Sequence, residues 1–171
     1  MFVILCNNYF KDVTFYINKN KKMPVVRITK KITLEMAHSL WNYPGPCGNI
    51  HGHSYTLYVT ISGEPAKANG SPEEGMVLDF SNLKKVIEKE ISEPFDHSLI
   101  LNDAIPFDLK IQLTRHHKKV CFLGIQPTCE NLVLEFSQRI KNSLPGKITL
   151  HSLKLQETDT GWAEWFQEDQ G

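Results

Sequence analysis

The chain is poor in the features that usually announce a function. Cysteine is scarce: there are four, at positions 6, 47, 121 and 129, with no Cys-x-x-Cys pair. That spacing excludes a dense disulfide scaffold, reads as reduced thiols, and places the chain in the cytoplasm. Charge of one sign is lacking too, because 19 Lys and Arg balance 19 Asp and Glu. The whole-molecule field therefore draws neither nucleic acid nor an anionic membrane, and an anionic ligand must be held locally. Long apolar runs are also missing. Phe2-Val3-Ile4-Leu5 stops at Asn7-Asn8, too short for a signal-peptide core or a membrane span. No internal repeat or low-complexity tract is found.

What is present suits one domain. At 171 residues, 41% hydrophobic and 22% charged, the chain can bury a single sizeable core. Residues 1–22 are polar and lysine-rich after their first few positions and read as an N-terminal extension; an extra edge strand is the competing reading. Met23-Pro24 makes a natural start for a single domain over 23–171.

From Val25 onward, Ile32, Leu34 and Met36 alternate with polar residues, the period of a strand with one buried face, and His38 continues that register. Tyr55, Leu57, Val59 and Ile61 repeat the pattern, with His51 and His53 on the same parity. Met76-Val77-Leu78 reads as a short strand. Asp79 or Ser81 can cap a helix carrying Leu83, Val86, Ile87 and Ile91, which Pro94 ends. Leu109, Ile111 and Leu113 followed by Val120 to Leu123 read as a hairpin with a basic tip from Arg115 to Lys119. Thr128 caps a second helix with Leu132, Phe136 and Ile140 inward, and a last strand carries Leu153, Leu155 and, on their parity, Glu157. This order predicts an α+β fold, helices on one face of a mainly antiparallel sheet. Trp162, Trp165 and Phe166 read as packing or interface residues.

The chemistry gathers in Cys47-Gly48-Asn49-Ile50-His51-Gly52-His53, with His38 upstream. Side chains two apart on a strand point the same way, roughly 7 Å apart. Three histidines supply the three protein ligands of a catalytic zinc site and leave a fourth position open. Cys47 is then free to serve as a thiolate base; the rival is a structural zinc site that uses Cys47 as a ligand, for which Cys121 or Cys129 would have to arrive through the fold. Asp96-His97 offers a carboxylate beside an imidazole, the elements of a proton relay, or simply a polar turn after a helix. Together the parts suit proton abstraction next to an oxygenated carbon.

Ala37-His38, Cys47-x3-His51-Gly52-His53, Gly75-Met76-Val77-Leu78-Asp79-Phe80, Phe95-Asp96-His97 with Leu101-Asn102, Pro127-Thr128-Cys129-Glu130-Asn131 and Glu157-Thr158 stand in this order. The ordered set resembles the 6-pyruvoyltetrahydropterin synthase family over residues 25 to 164. The three residues between Cys47 and His51 are most similar to its bacterial branch, the 6-carboxy-5,6,7,8-tetrahydropterin synthases of queuosine biosynthesis; the animal pyruvoyl branch has a longer gap.

The resemblance implies a tunnelling fold: a four-stranded antiparallel sheet with two helices on one face, three subunits closing a barrel, and two trimers stacked as a homohexamer with sites between subunits. It implies Zn2+ on His38, His51 and His53, Cys47 as base, and Asp96 with His97 as relay. Glu157 would anchor the pterin by accepting paired N–H bonds, with Thr128 and Glu130 at pterin-recognition positions. The implied reaction takes 7,8-dihydroneopterin triphosphate to 6-carboxytetrahydropterin, acetaldehyde and triphosphate. The pyruvoyl reaction and a non-catalytic, zinc-stabilised pterin-binding module are the alternatives. Two departures stand out: Cys129 occupies a position where Thr or Ser is common, and the segment from Asp103 to Gln126 is longer than in compact bacterial members.

Overall fold

The computed structural model describes residues 24–67 and 69–171; the N-terminal extension expected over 1–22 lies outside the described residues. Two long strands carry the fold, β1 (Val26–Ser39) and β2 (His51–Gly63). Their antiparallel register sets Leu34 opposite Tyr55 and Ile32 opposite Leu57, so period-two apolar residues from both strands share one face. Leu34, Tyr55, Leu57, Val59 and Ile61 are fully buried. The polar alternates face the other way, where the Thr29 and Thr60 hydroxyls meet at 2.8 Å.

β5 (Thr149–Thr158) pairs antiparallel with β2, and β6 (Gly161–Phe166) with β5. On the other side, β3 (Ser98–Asn102) runs parallel to β1 along Met36–Ser39, and β4 (Val120–Leu123) runs parallel to β3. The sheet is therefore six-stranded, in the order β4-β3-β1-β2-β5-β6. The expected four-stranded antiparallel sheet is thus exceeded: β1, β2, β5 and β6 are antiparallel, and β3 and β4 extend the sheet in parallel. β3 covers only Met36 to Ser39 of the β1 edge, and Val26 to Leu34 carry no strand partner on that side among the described residues.

Helix α1 (Phe80–Ile87) starts at Asp79, whose carboxylate accepts the Ser81 N–H at 2.6 Å. Pro94 does not end the run. A π turn (Glu88–Ser92) passes into a short segment, α2 (Glu93–Phe95), and the helical backbone runs on through Ser92 and Glu93 to Pro94. Helix α4 (Cys129–Ser143) is capped by Thr128, which accepts from the Asn131 N–H, and buries Leu132, Phe136 and Ile140 against the sheet. Phe136 stacks on Phe95 with centroids 4.9 Å apart, joining the helical layer.

Two expectations fail. Met76-Val77-Leu78 is not a strand: only three residues separate the turn at Gly75 from the Asp79 cap, leaving room for a single bonded exchange with Ala66 rather than a ladder. Leu109, Ile111 and Leu113 are not half of a hairpin but lie in α3 (Phe107–His116). Pro106 precedes this helix, Asp108 occupies its first turn, and Arg115 and His116 its last, all in keeping with the helix dipole. The alternation misleads because Leu109 and Ile111 remain substantially exposed. Only Leu113 packs, with Ala37, Trp41, Leu99, Leu101, Val120 and Phe122. That small second core lies on the opposite parity of β3 and β4 from Ile100 and Leu123, which join the main core, so α3 covers the face that α1 and α4 leave open. No helix among the described residues is long and apolar enough to cross a membrane.

Candidate metal centre

The β1–β2 hairpin brings three imidazoles to one point. His38 stands directly opposite His51, with Met36 opposite His53, so His38 faces both β2 histidines from across the ladder. Ring centroids lie 4.4 Å apart for His38 and His51, 5.4 Å for His38 and His53, and 5.1 Å for His51 and His53. One nitrogen from each lies within 4.8 Å of the other two. Gly52 keeps the reverse face clear, since a Cβ there would come within 3.2 Å of the Met36 carbonyl oxygen.

Hydrogen bonds set the tautomers these rings would need. Nδ1 of His38 is 2.7 Å from the Pro127 carbonyl oxygen, and Nδ1 of His51 is 2.9 Å from that of Asn49. With Nδ1–H donating to a carbonyl, Nε2 keeps a lone pair for a metal. Burial pushes the His38 pKa below its ordinary value, and the charges of His51 and His53 add to this against the raising effect of the Pro127 carbonyl and Glu157. A neutral imidazole is the form that ligates. Tetrahedral zinc at about 2.0–2.1 Å from each nitrogen would hold them roughly 3.4 Å apart, a closing of the observed spread within the reach of side-chain rotation. The residues fit Zn2+: three imidazoles with a fourth position open are its catalytic donor set, and an oxygen-seeking Mg2+ or Ca2+ would find the wrong ligands.

Beside the triad lies a residue that sequence reading treated only as core. Tyr55, fully buried, donates its hydroxyl to Glu157 Oε1 at 2.7 Å and lies 3.4 Å from His38 Nε2. Burial, then the hydrogen bond and charge of Glu157, raise its pKa, so it stays a donor. Glu157 Oε1 is itself 3.6 Å from His38 Nε2. A signal was available, because Tyr55 follows His51 and His53 on one parity.

Cys47 sits in the 3-10 turn Pro46–Gly48 that leads into β2, half-buried, its carbonyl accepting the Leu40 N–H at 2.9 Å. Gly48 is required there: a Cβ would lie 2.4 Å from the Tyr43 carbonyl oxygen. Among the described residues Cys47, Cys121 and Cys129 are free thiols. Cys129 is buried and donates to the Leu155 carbonyl at 3.2 Å. Burial, then the charge of Glu157, pushes its thiol up to about 11.

Asp96 and His97 form a pair, His97 Nδ1 to Asp96 Oδ2 at 3.1 Å, that stands outside the cluster of the three histidines. His97 does not continue the extended run of β3, its φ being +58°. It opens on a cleft of about 570 Å³ whose lining includes His53 of the triad together with Glu35, Ser54, His117 and Lys119. Burial raises the Asp96 pKa, but the Glu35 amide, the bond to His97 and the charges of His97 and Lys119 outweigh it and hold the carboxyl below its ordinary range. Thr128 spends its hydroxyl on capping α4, next to the Pro127 carbonyl that orients His38. Glu130 is exposed and shares a shallow cleft with Val133, Ala163 and Trp165.

An α+β sheet ending in three convergent imidazoles, with a buried tyrosine and a carboxylate alongside, defines the class: an enzyme fold built round a histidine-lined centre. The chain belongs to the 6-pyruvoyl tetrahydropterin synthase family, whose model matches residues 27–168. A 6-carboxy-5,6,7,8-tetrahydropterin synthase of Haemophilus influenzae is 32% identical over 141 residues, 81% of this chain and 97% of that protein. A 6-pyruvoyl tetrahydrobiopterin synthase of Pongo abelii is 28% identical over 78% of this chain and 86% of its own length. The Caenorhabditis elegans 6-pyruvoyl tetrahydropterin synthase structure superposes with a TM-score of 0.60 at 24% identity, covering 85% of this chain and 98% of that one. An uncharacterized protein from Wolinella succinogenes reaches 0.69 at 16% identity, covering 84% and 99%. The two structures show the shared fold.

Proposed function

We propose that the protein is a zinc-dependent 6-carboxy-5,6,7,8-tetrahydropterin synthase. It converts 7,8-dihydroneopterin triphosphate to 6-carboxytetrahydropterin, acetaldehyde and triphosphate in the cytoplasmic synthesis of queuosine. The observation that carries this is the His38, His51 and His53 cluster beside Glu157, in a chain about 32% identical to a relative of that name. The three-residue gap between Cys47 and His51 supports the carboxy over the pyruvoyl product.

His38, His51 and His53 would hold the zinc, which when bound polarises the substrate's side-chain oxygens and makes the neighbouring C–H groups more acidic. Cys47, carried by the turn at the head of β2, removes the side-chain proton as thiolate. Glu157 accepts two N–H groups of the pterin edge, its other partner being the Tyr55 hydroxyl. Thr128 and Glu130 flank that edge, and His97, paired with Asp96, carries the second proton.

Because Asp96 and His97 stand outside the cluster of the three histidines within one chain, we infer that each working site draws them from a neighbouring subunit. The β1 edge from Val26 to Leu34, unpartnered among the described residues, supports this, since a free edge of that length invites pairing with the outer strand of another copy. Three copies would close a barrel and two such rings stack as a hexamer. Purified zinc-loaded protein incubated with 7,8-dihydroneopterin triphosphate, its products identified by mass spectrometry, tests the reading. Acetaldehyde with 6-carboxytetrahydropterin is expected. A 6-pyruvoyl product reassigns the branch, and pterin bound without turnover makes the protein a binding module.

A further inference from the structure

His97 is held in a backbone conformation it would not choose. Its φ is +58°, the left-handed region that a residue with a Cβ occupies only when its surroundings fix it there. The imidazole is 76% exposed, so packing does not aim it. Its direction comes from the turn that carries it and from Asp96.

Four hydrogen bonds fix that turn. The His97 N–H donates to the Glu35 carbonyl at 2.6 Å, and the Glu35 N–H to Asp96 Oδ1 at 2.9 Å. The Ser98 hydroxyl donates to the Phe95 carbonyl at 2.6 Å. The fourth comes from farther along the chain: Lys119 Nζ donates to the Asp96 carbonyl at 2.5 Å. Lys119 also grips the other flank, its own carbonyl accepting the Leu99 N–H at 3.0 Å. One residue thus ties the backbone just before His97 with its side chain and the backbone two positions after with its main chain. It is delivered by α3 and the turn into β4. Lys119 also lines the cleft that His97 shares with His53.

We propose that Lys119 is the positioning residue that locks the Asp96–His97 turn and so aims the His97 imidazole. The inference rests on the reading of Asp96 and His97 as the proton relay. The same ammonium places positive charge beside the Asp96 carboxylate, which keeps the carboxylate able to hold His97 Nδ1.

The test compares K119M with K119R in the full-length, zinc-loaded protein. Losing a charge-assisted hydrogen bond of this kind is worth roughly tenfold or more. In K119M, kcat falls about tenfold, while KM and zinc content stay within about twofold of the parent; K119R, which keeps a charged donor, recovers most of the loss. Amide exchange read by mass spectrometry over residues 95–99 speeds up about tenfold in K119M. This second measurement needs no turnover. A parent without pterin activity would sink the functional reading, and the exchange result would still decide the lock. Unchanged exchange in K119M overturns the proposal, as does a rise in KM alone or an equal loss in K119R.

Discussion

Replacing Tyr55 by Phe removes one oxygen from the centre and nothing else. The hydroxyl it deletes is fully buried and donates to Glu157 at 2.7 Å, a hydrogen bond to a charged acceptor worth about 1.5–3 kcal/mol. The Glu157 side chain is 27% exposed, so water can replace part of the lost bond, and the lower end applies. About 1.5 kcal/mol corresponds to a KM for the pterin roughly tenfold higher. Zinc content should not change, because His38 is oriented by the Pro127 carbonyl at 2.7 Å, whereas Tyr55 lies 3.4 Å from its Nε2. Initial rates over a range of 7,8-dihydroneopterin triphosphate, alongside metal analysis of the same preparation, separate the two. A KM within twofold of the parent would refute the view that Tyr55 presets Glu157, and loss of zinc would move Tyr55 into the metal site.

Cys47→Ala is expected to keep its zinc while turnover drops by at least about 10²-fold, the scale of a lost general base; metal analysis showing zinc lost would make Cys47 a ligand. Chelation of the parent should abolish turnover reversibly, with activity returning on addition of Zn2+. Gly48→Ala pushes a Cβ toward the Tyr43 carbonyl and should cost about 1–3 kcal/mol in urea denaturation, with turnover reduced because the displaced turn carries Cys47; unchanged stability and kcat would refute it. The Cys129 thiol stays neutral in the fold up to about 11, against 9.0 ordinarily. An unfolded chain therefore loses that proton first, and stability that is intact below pH 9 declines between pH 9 and 11. Cys129→Ala should lack about 2–3 kcal/mol of that decline, and parallel pH profiles of the two proteins would show the assignment to be wrong.

How much of this was readable from residues alone depended on burial being one-sided. β1, β2 and β5 were legible because each buries alternate residues, and that same parity put His38, His51 and His53 on one side; β6 was not, its Trp162, Trp165 and Phe166 reading only as packing residues. The caps at Asp79 and Thr128 marked both main helices. β3 was missed because Ser98 to Leu101 are all buried, sandwiched between the helical layer and α3, so no alternation survives. α3 was misread because its apolar residues happen to alternate while two of them stay near the surface. The placement of Asp96 and His97 was beyond sequence. Where they come to rest depends on β3 lying parallel against β1, a pairing that nothing local specifies.

The hairpin geometry of the triad also bears on the order in which the protein is made. His38 and His51 meet across a single reversal of the chain, within one pair of adjacent strands, whereas β2 must wait for β5, from Thr149 onward, to complete the sheet. Contacts so close in sequence form early and at low loop-closure cost. Metal capture can therefore begin on a nascent hairpin, before the helical layer or any neighbouring copy exists, and bound zinc would weight the ensemble toward chains that have made this turn correctly. Refolding in the presence and absence of Zn2+ would see that as a metal-dependent acceleration of an early phase, with later sheet completion unaffected.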